Sequence, residues 1–148
     1  MKLDRSIVIN RPPSVVFDFV AVNHLQNHPR WDPHMHLTQL TDGPVGVGSR
    51  YQRRHTRVGA PIEGTMEVVE FEPEKSMGFH ILDQTPNGPL EVDSRSTFEP
   101  VDGGASTRMT IYLDVPAMEA SMDPGMIEGS LSRMKDLIEA ETSAGAET

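Results

Sequence analysis

Cysteine is absent from the 148-residue chain. That removes disulfides, thiolate nucleophiles and cysteine-ligated metals, and it fits a reducing compartment. Long apolar runs are absent as well: no stretch approaches the ~18 consecutive apolar residues that a membrane helix needs. The opening Met1-Lys2-Leu3-Asp4-Arg5 runs straight into a strand pattern without the apolar region of a signal peptide. A soluble, cytoplasmic protein without a membrane span is therefore expected. Basic residues are scarce, 13 Lys and Arg against 22 Asp and Glu, for a net charge of −9. Phosphates dominate nucleic-acid affinity and would repel such a chain, so no nucleic-acid partner is expected. Aromatic residues are few, with five Phe, two Tyr and one Trp, whereas methionines number nine. Methionine suits adaptable binding surfaces, but ordinary core filling is the plainer reading.

The length suits one domain. Leu3, Arg5, Ile7 and Ile9 alternate with Asp4, Ser6, Val8 and Asn10, which predicts a first strand. Pro12-Pro13-Ser14 starts a helix, with the Ser14 hydroxyl available at its N-terminus. Asn23 to Asn27 predicts a second short helix that His28-Pro29 should end, because the residue before proline is pushed out of helical geometry. Six further strands follow: His34–Leu40, Ser49–Arg57, Ile62–Phe71, Ser76–Asp83, Leu90–Glu99 and Ser106–Val115. Short turn-rich connectors join them, which implies antiparallel neighbours. Pro116 to Asp123 is a linker, and Ser121 or Asp123 is placed to cap a final amphipathic helix. In that helix Met126, Ile127, Leu131, Met134, Leu137 and Ile138 recur at helical spacing. The small, polar Thr142–Thr148 is expected to be a flexible tail after a domain of residues 1–141.

In this order the residues resemble a known family. Ile7 to Phe19, with Arg11-Pro12-Pro13-Ser14-Val15-Val16-Phe17 at its centre, resembles the first strand and helix of the START-like, or helix-grip (SRPBCC), superfamily. That superfamily includes the birch-pollen allergen and the polyketide cyclase/dehydrase and lipid-transport families. Arg30-Trp31-Asp32-Pro33, Gly43 to Tyr51, Phe71-Glu72-Pro73 and Phe98 to Gly104 resemble its later turns. The resemblance implies an α+β fold of order β-α-α-β6-α, a seven-stranded antiparallel sheet gripping a long C-terminal helix. It does not imply one activity, so function must come from the residues that line the interior.

Three constellations could carry chemistry. His28, His34 and His36 surround Trp31-Asp32. On a strand His34 and His36 face the same way, and with Asp32 they could ligate zinc. Solvated histidines are the favoured reading, and no metal or cofactor is expected. Facing inward, the same histidines would be acid/base groups near neutral pH. The second set is Tyr51, Arg53, His55, Glu70 and His80. A cavity Tyr or Arg could orient a carbonyl, carboxylate or enolate, but cross-strand charge pairing on the wet, convex face is preferred for each residue. The basic run Arg50, Arg53, Arg54, His55 and Arg57 is read likewise as solubilising charge. In the third set, Asp93, Arg95, Arg108, Tyr112 and Asp114 should face solvent. Leu90, Val92, Ser94, Ser96, Phe98, Met109, Ile111, Leu113 and Val115 should then face the helix. Periodicity alone leaves open which faces of the second and third strands point inward, since a slip of one residue exchanges them.

The leading expectation is a hydrophobic small molecule (lipid, polyketide or aromatic metabolite) held in an internal cavity. Its walls would be Phe17, Phe19, Trp31, Tyr51, Met66, Phe79, Phe98, Met109, Ile111, Met126, Met134 and Ile138. The alternative is a cyclase/dehydratase-type enzyme using Tyr51, His34, His36, Arg53 or His80. A surface interaction module without ligand is the third reading. Oligomeric state is left open, a homodimer included.

Overall fold

The computed structural model describes residues 1–57, 59–117 and 124–141. Seven strands form one antiparallel sheet: β1 (Lys2–Ile9), β2 (Met35–Gln39), β3 (Arg50–His55), β4 (Ile62–Glu72), β5 (Ser76–Thr85), β6 (Gly88–Val101) and β7 (Ser106–Asp114). The spatial order is β1-β7-β6-β5-β4-β3-β2. Strands β2 to β7 thus run as a meander, as their short connectors dictate. β1 closes against β7 from the other end of the chain, with Ile7 opposite Met109 and Ile9 opposite Thr107. A bulge between Val68 and Glu70 shifts the register of β4 on β5 and adds local twist.

Between β1 and β2 lie α1 (Pro13–Phe17), a π-helical turn (Asp18–Val22) and α2 (His24–Trp31). Pro13 serves the first turn of α1, where its missing N–H costs nothing. The N-cap is Pro12, whose ring offers no capping hydrogen bond, and Ser14 falls inside the first turn. The π turn closes through Asn23 N–H to the Asp18 carbonyl at 3.0 Å, and the buried Asn27 amide donates to the Phe19 carbonyl at 2.9 Å. Phe17 sits edge-on to Phe71 and Phe98, with centroids 5.3 and 5.1 Å away, and so pins α1 to the sheet.

The second helix does not end at His28. It runs through Pro29 to Trp31, and the Asp32 N–H donates to the His28 carbonyl at 3.0 Å. One internal proline removes one donor, and a helix with a single turn after it can still close on the remaining bonds.

α3 (Gly125–Glu141) buries Ile127, Leu131, Met134 and Ile138, one stripe at helical spacing. Polar contacts fix it against β1 and α2. Lys135 Nζ donates to the Val8 carbonyl (2.9 Å), Arg133 Nε to the Trp31 carbonyl (2.7 Å), and Arg5 pairs with Glu128 at 3.4 Å. The expected caps Ser121 and Asp123 and the tail 142–148 lie outside the described residues. No helix among them is long and apolar enough to cross a membrane.

Candidate functional site

Alternation along the strands sends one set of side chains to the face that α2 and α3 cover. Those side chains surround a cavity of about 440 Å³, a size usual for small-molecule sites. Its long wall is apolar: Met66 from β4, Met77, Phe79 and Ile81 from β5, Val92 from β6, Met109 and Ile111 from β7, and Met126, Ile127 and Met134 from α3.

One end of the cavity is polar, and α2 builds half of it. His24 and His28 stand one turn apart, and Asp32 follows at the helix C-terminus, so the three share a stripe. His28 Nδ1 lies 2.7 Å from His24 Nε2, and His28 Nε2 lies 3.8 Å from Asp32 Oδ2. The other oxygen-bound partner of Asp32 is Arg57, which forms an ion pair with it.

The sheet builds the other half. Arg53, Gly64 and Asp83 are in register on β3, β4 and β5. Arg53 Nε lies 3.0 Å from Asp83 Oδ1, Nη2 donates to Oδ2 at 3.3 Å, and His55 Nε2 lies 3.6 Å from Oδ2. The pair must cross a whole strand, two spacings of about 4.8 Å, and glycine makes that crossing open. A Cβ at position 64 would fall 2.3 Å from Asp83 Oδ1 and from the Leu82 carbonyl oxygen. Although Arg53 Nε and Asp83 Oδ1 are close, neither makes a directed hydrogen bond. Together with His24 Nδ1 and His55 Nδ1 they are buried polar atoms lacking a hydrogen-bond partner.

Burial governs the ionisation of this end. It pushes His24 well below the ordinary imidazole value, helped by His28 and Arg53. It also lowers His28, where Asp32 pulls the other way, and His55, where Arg57 and Arg53 add to it. For Asp32, burial pushes up, but His28 and Arg57 together hold the carboxyl well below the usual range. At neutral pH the end therefore holds three neutral imidazoles and two Arg–Asp ion pairs.

A family model described as polyketide cyclase/dehydrase and lipid transport matches residues 1–139. The chain belongs to that family. No protein of curated function matches the sequence. Among solved structures, the Zhui aromatase/cyclase from Streptomyces sp. R1128 is similar with a TM-score of 0.74 at 14% identity, covering 98% of each chain. Ara h 8.0201 is similar with a TM-score of 0.71 at 12% identity, over 95% of this chain and 98% of that one. The di-domain ARO/CYC BexL from the BE-7585A biosynthetic pathway gives 0.70 at 22% identity, over 94% of this chain and 46% of that one. The fold is the helix-grip fold.

Within this polyketide cyclase/dehydrase and lipid-transport fold the predicted site residues part into three groups. Trp31, Met66, Phe79, Met109, Ile111, Met126 and Met134 line the cavity, as does Arg53. Phe17, Phe19, Tyr51, Phe98 and Ile138 are buried but stand in the packed core beside it. Phe19 packs on Trp31 at 6.1 Å, and the Tyr51 ring lies 5.6 Å from that of His24. His36 is exposed on the outer face of β2, His34 is exposed in the turn before it, and His80 is half-exposed and bonded to Asp93 at 2.9 Å. These three histidines do not meet the cavity, because Met35 takes the inward position on β2 and Phe79 and Ile81 take it on β5. Among the described residues no three His, Asp or Glu side chains form a metal-type cluster.

The preference for a wet face fails on β3. Tyr51, Arg53 and His55 point inward, whereas Arg50 and Arg54 point out. His24, Asp83 and Gly64 are further members of the site. For His24 a signal existed, the His24-x3-His28-x3-Asp32 spacing, once the helix is carried past Pro29. For Asp83 the signal was its parity with the apolar Phe79 and Ile81.

Proposed function

We propose that the chain binds a largely apolar small molecule of polyketide-like or aromatic type in the cavity between sheet and α3. The observation that carries this reading is the shape of the lining: an apolar wall of methionine, phenylalanine and aliphatic side chains ending in one buried polar cluster. Membership of the polyketide cyclase/dehydrase and lipid-transport family supports it. Extraction of the purified protein followed by mass spectrometry tests the proposal. The expected result is an apolar metabolite that raises the melting temperature when added back, since a ligand of the native state must stabilise it. No ligand in the extract and no shift from a library of aromatic polyketides would overturn it.

A cyclase/dehydratase-type activity is the second reading, and one observation favours it. His24, His28 and His55 converge inside the cavity beside the Arg53–Asp83 pair, where neutral imidazoles can move protons to and from a substrate carbonyl. In this reading His24, His28 and His55 take the place expected of His34, His36 and His80. Turnover of a poly-β-ketone substrate that is lost in His28→Gln but kept in His36→Ala is the expected outcome. Full turnover in the first variant would remove His28 from the chemistry, and no turnover by the parent chain would leave binding alone.

A further inference from the structure

The cavity has a second polar spot, far from the first. Ser94 and Ser96 on β6 supply it, and among the described residues their hydroxyls have no hydrogen-bond partner. Ser94 pairs with Phe79 and Ser96 with Met77, whereas Asp83 of the ionic end pairs with Leu90. Asp83 and Phe79 are four residues apart, so Ser94 sits about 13 Å along the sheet from Asp83, one strand over. Between them the wall is Ile81 and Val92.

The ionic end also has no charge to spare. Its two guanidiniums, Arg53 and Arg57, are each paired with a carboxylate, Asp83 and Asp32. The remaining groups, His24, His28 and His55, are held neutral by burial. An incoming carboxylate or phosphate would find no free positive charge and would lose its hydration. A ketone or hydroxyl could instead bond to the imidazole nitrogens.

Resting on the reading above, we propose that the ligand is an elongated, electrically neutral molecule with a hydrogen-bonding oxygen at each end and an apolar middle. Fatty acids, phospholipids and other anionic amphiphiles are excluded from the site. The serines choose the far end of the molecule, and the balanced ion pairs reject charge at the near end.

Displacement of the fluorescent apolar dye N-phenyl-1-naphthylamine from the full chain tests this. Three competitors of equal length are compared: dodecanol, the α,ω-diol of dodecane, and dodecanoic acid. The expected order is diol, then dodecanol, then acid, with the acid weaker than the diol by about tenfold or more. In Ser94→Ala/Ser96→Ala the diol should fall to within about twofold of dodecanol, since its second hydroxyl has lost its partners. Acid binding as tight as the diol, or a diol advantage that survives loss of the serines, overturns the inference while leaving the cavity-binding reading intact. A dye that fails to bind, with no competitor stabilising the fold, overturns both.

Discussion

At the scale of the residue, Gly64 and Asp83 define the site. The aspartate crosses β4 to meet Arg53, and a side chain at position 64 would have to occupy its path and press on the Leu82 backbone. Gly64→Ala should therefore destabilise the protein by about 1–3 kcal/mol, the range for overpacking a filled site. Gly46→Ala, with nothing within 4 Å and no positive φ, should stay within about 0.5 kcal/mol of the parent. Urea unfolding of the two variants makes the comparison. Asp83→Asn should cost more, about 3–5 kcal/mol, because it strands a buried guanidinium. Adding Arg53→Met to it should recover much of that loss. A double-mutant cycle with strictly additive effects would deny that the two side chains act as a pair. This pair was half legible in the sequence. The inward parity of Arg53 with Tyr51 and His55 is plain, but charge argues for solvent until a partner two strands away is known, and strand pairing is not written in local pattern.

At the scale of the element, α2 concentrates the titratable groups. The strands themselves read well from alternation, and all seven fall within a few residues of their predicted positions. α2 read less well, because a local rule about proline competes with the packing of Trp31 and His24 against the core, and packing wins. The continued helix places His24 and His28 in contact. Together with His55 on β3, these imidazoles have folded-state values below their unfolded value of about 6.5. Between those values the unfolded chain binds more protons than the folded one, so stability falls as the pH drops below about 6.5 and is level above it. Each of the three histidines contributes a slope of up to about 1.4 kcal/mol per pH unit. His80 has the opposite sign, since its hydrogen bond to Asp93 raises its value, but it is half-exposed and its effect is smaller. Urea midpoints taken from about pH 7.5 down to about pH 5 should fall steadily, and His24→Phe should flatten the curve. An unchanged slope in that variant would mean that His24 is not held neutral by burial. α1 offers a separate test of packing. Phe17→Ala should cost about 3–5 kcal/mol, read as a drop in melting temperature, because its ring fills the angle between Phe71 and Phe98.

At the scale of the whole molecule, the order of elements makes the fold legible in the sequence, because a meander of six strands followed by one amphipathic helix leaves few ways to bury both apolar faces. The interior could not be read so directly. Whether the space under α3 is filled or hollow depends on the sum of side-chain volumes across three layers, which no single segment reveals. The methionines turn this into a measurement. Six of the nine, Met35, Met66, Met77, Met109, Met126 and Met134, line the cavity from four strands and α3. Met1, whose amino group donates to the Val115 carbonyl at 2.9 Å, lies apart from it. Methyl NMR of the methionine-labelled protein, titrated with N-phenyl-1-naphthylamine, follows all of them at once. A guest under α3 should move the signals of the six lining methyls together and leave that of Met1 in place. Lining signals that stay fixed at saturating dye, or shifts confined to Met1, would contradict a binding cavity between the sheet and its helix.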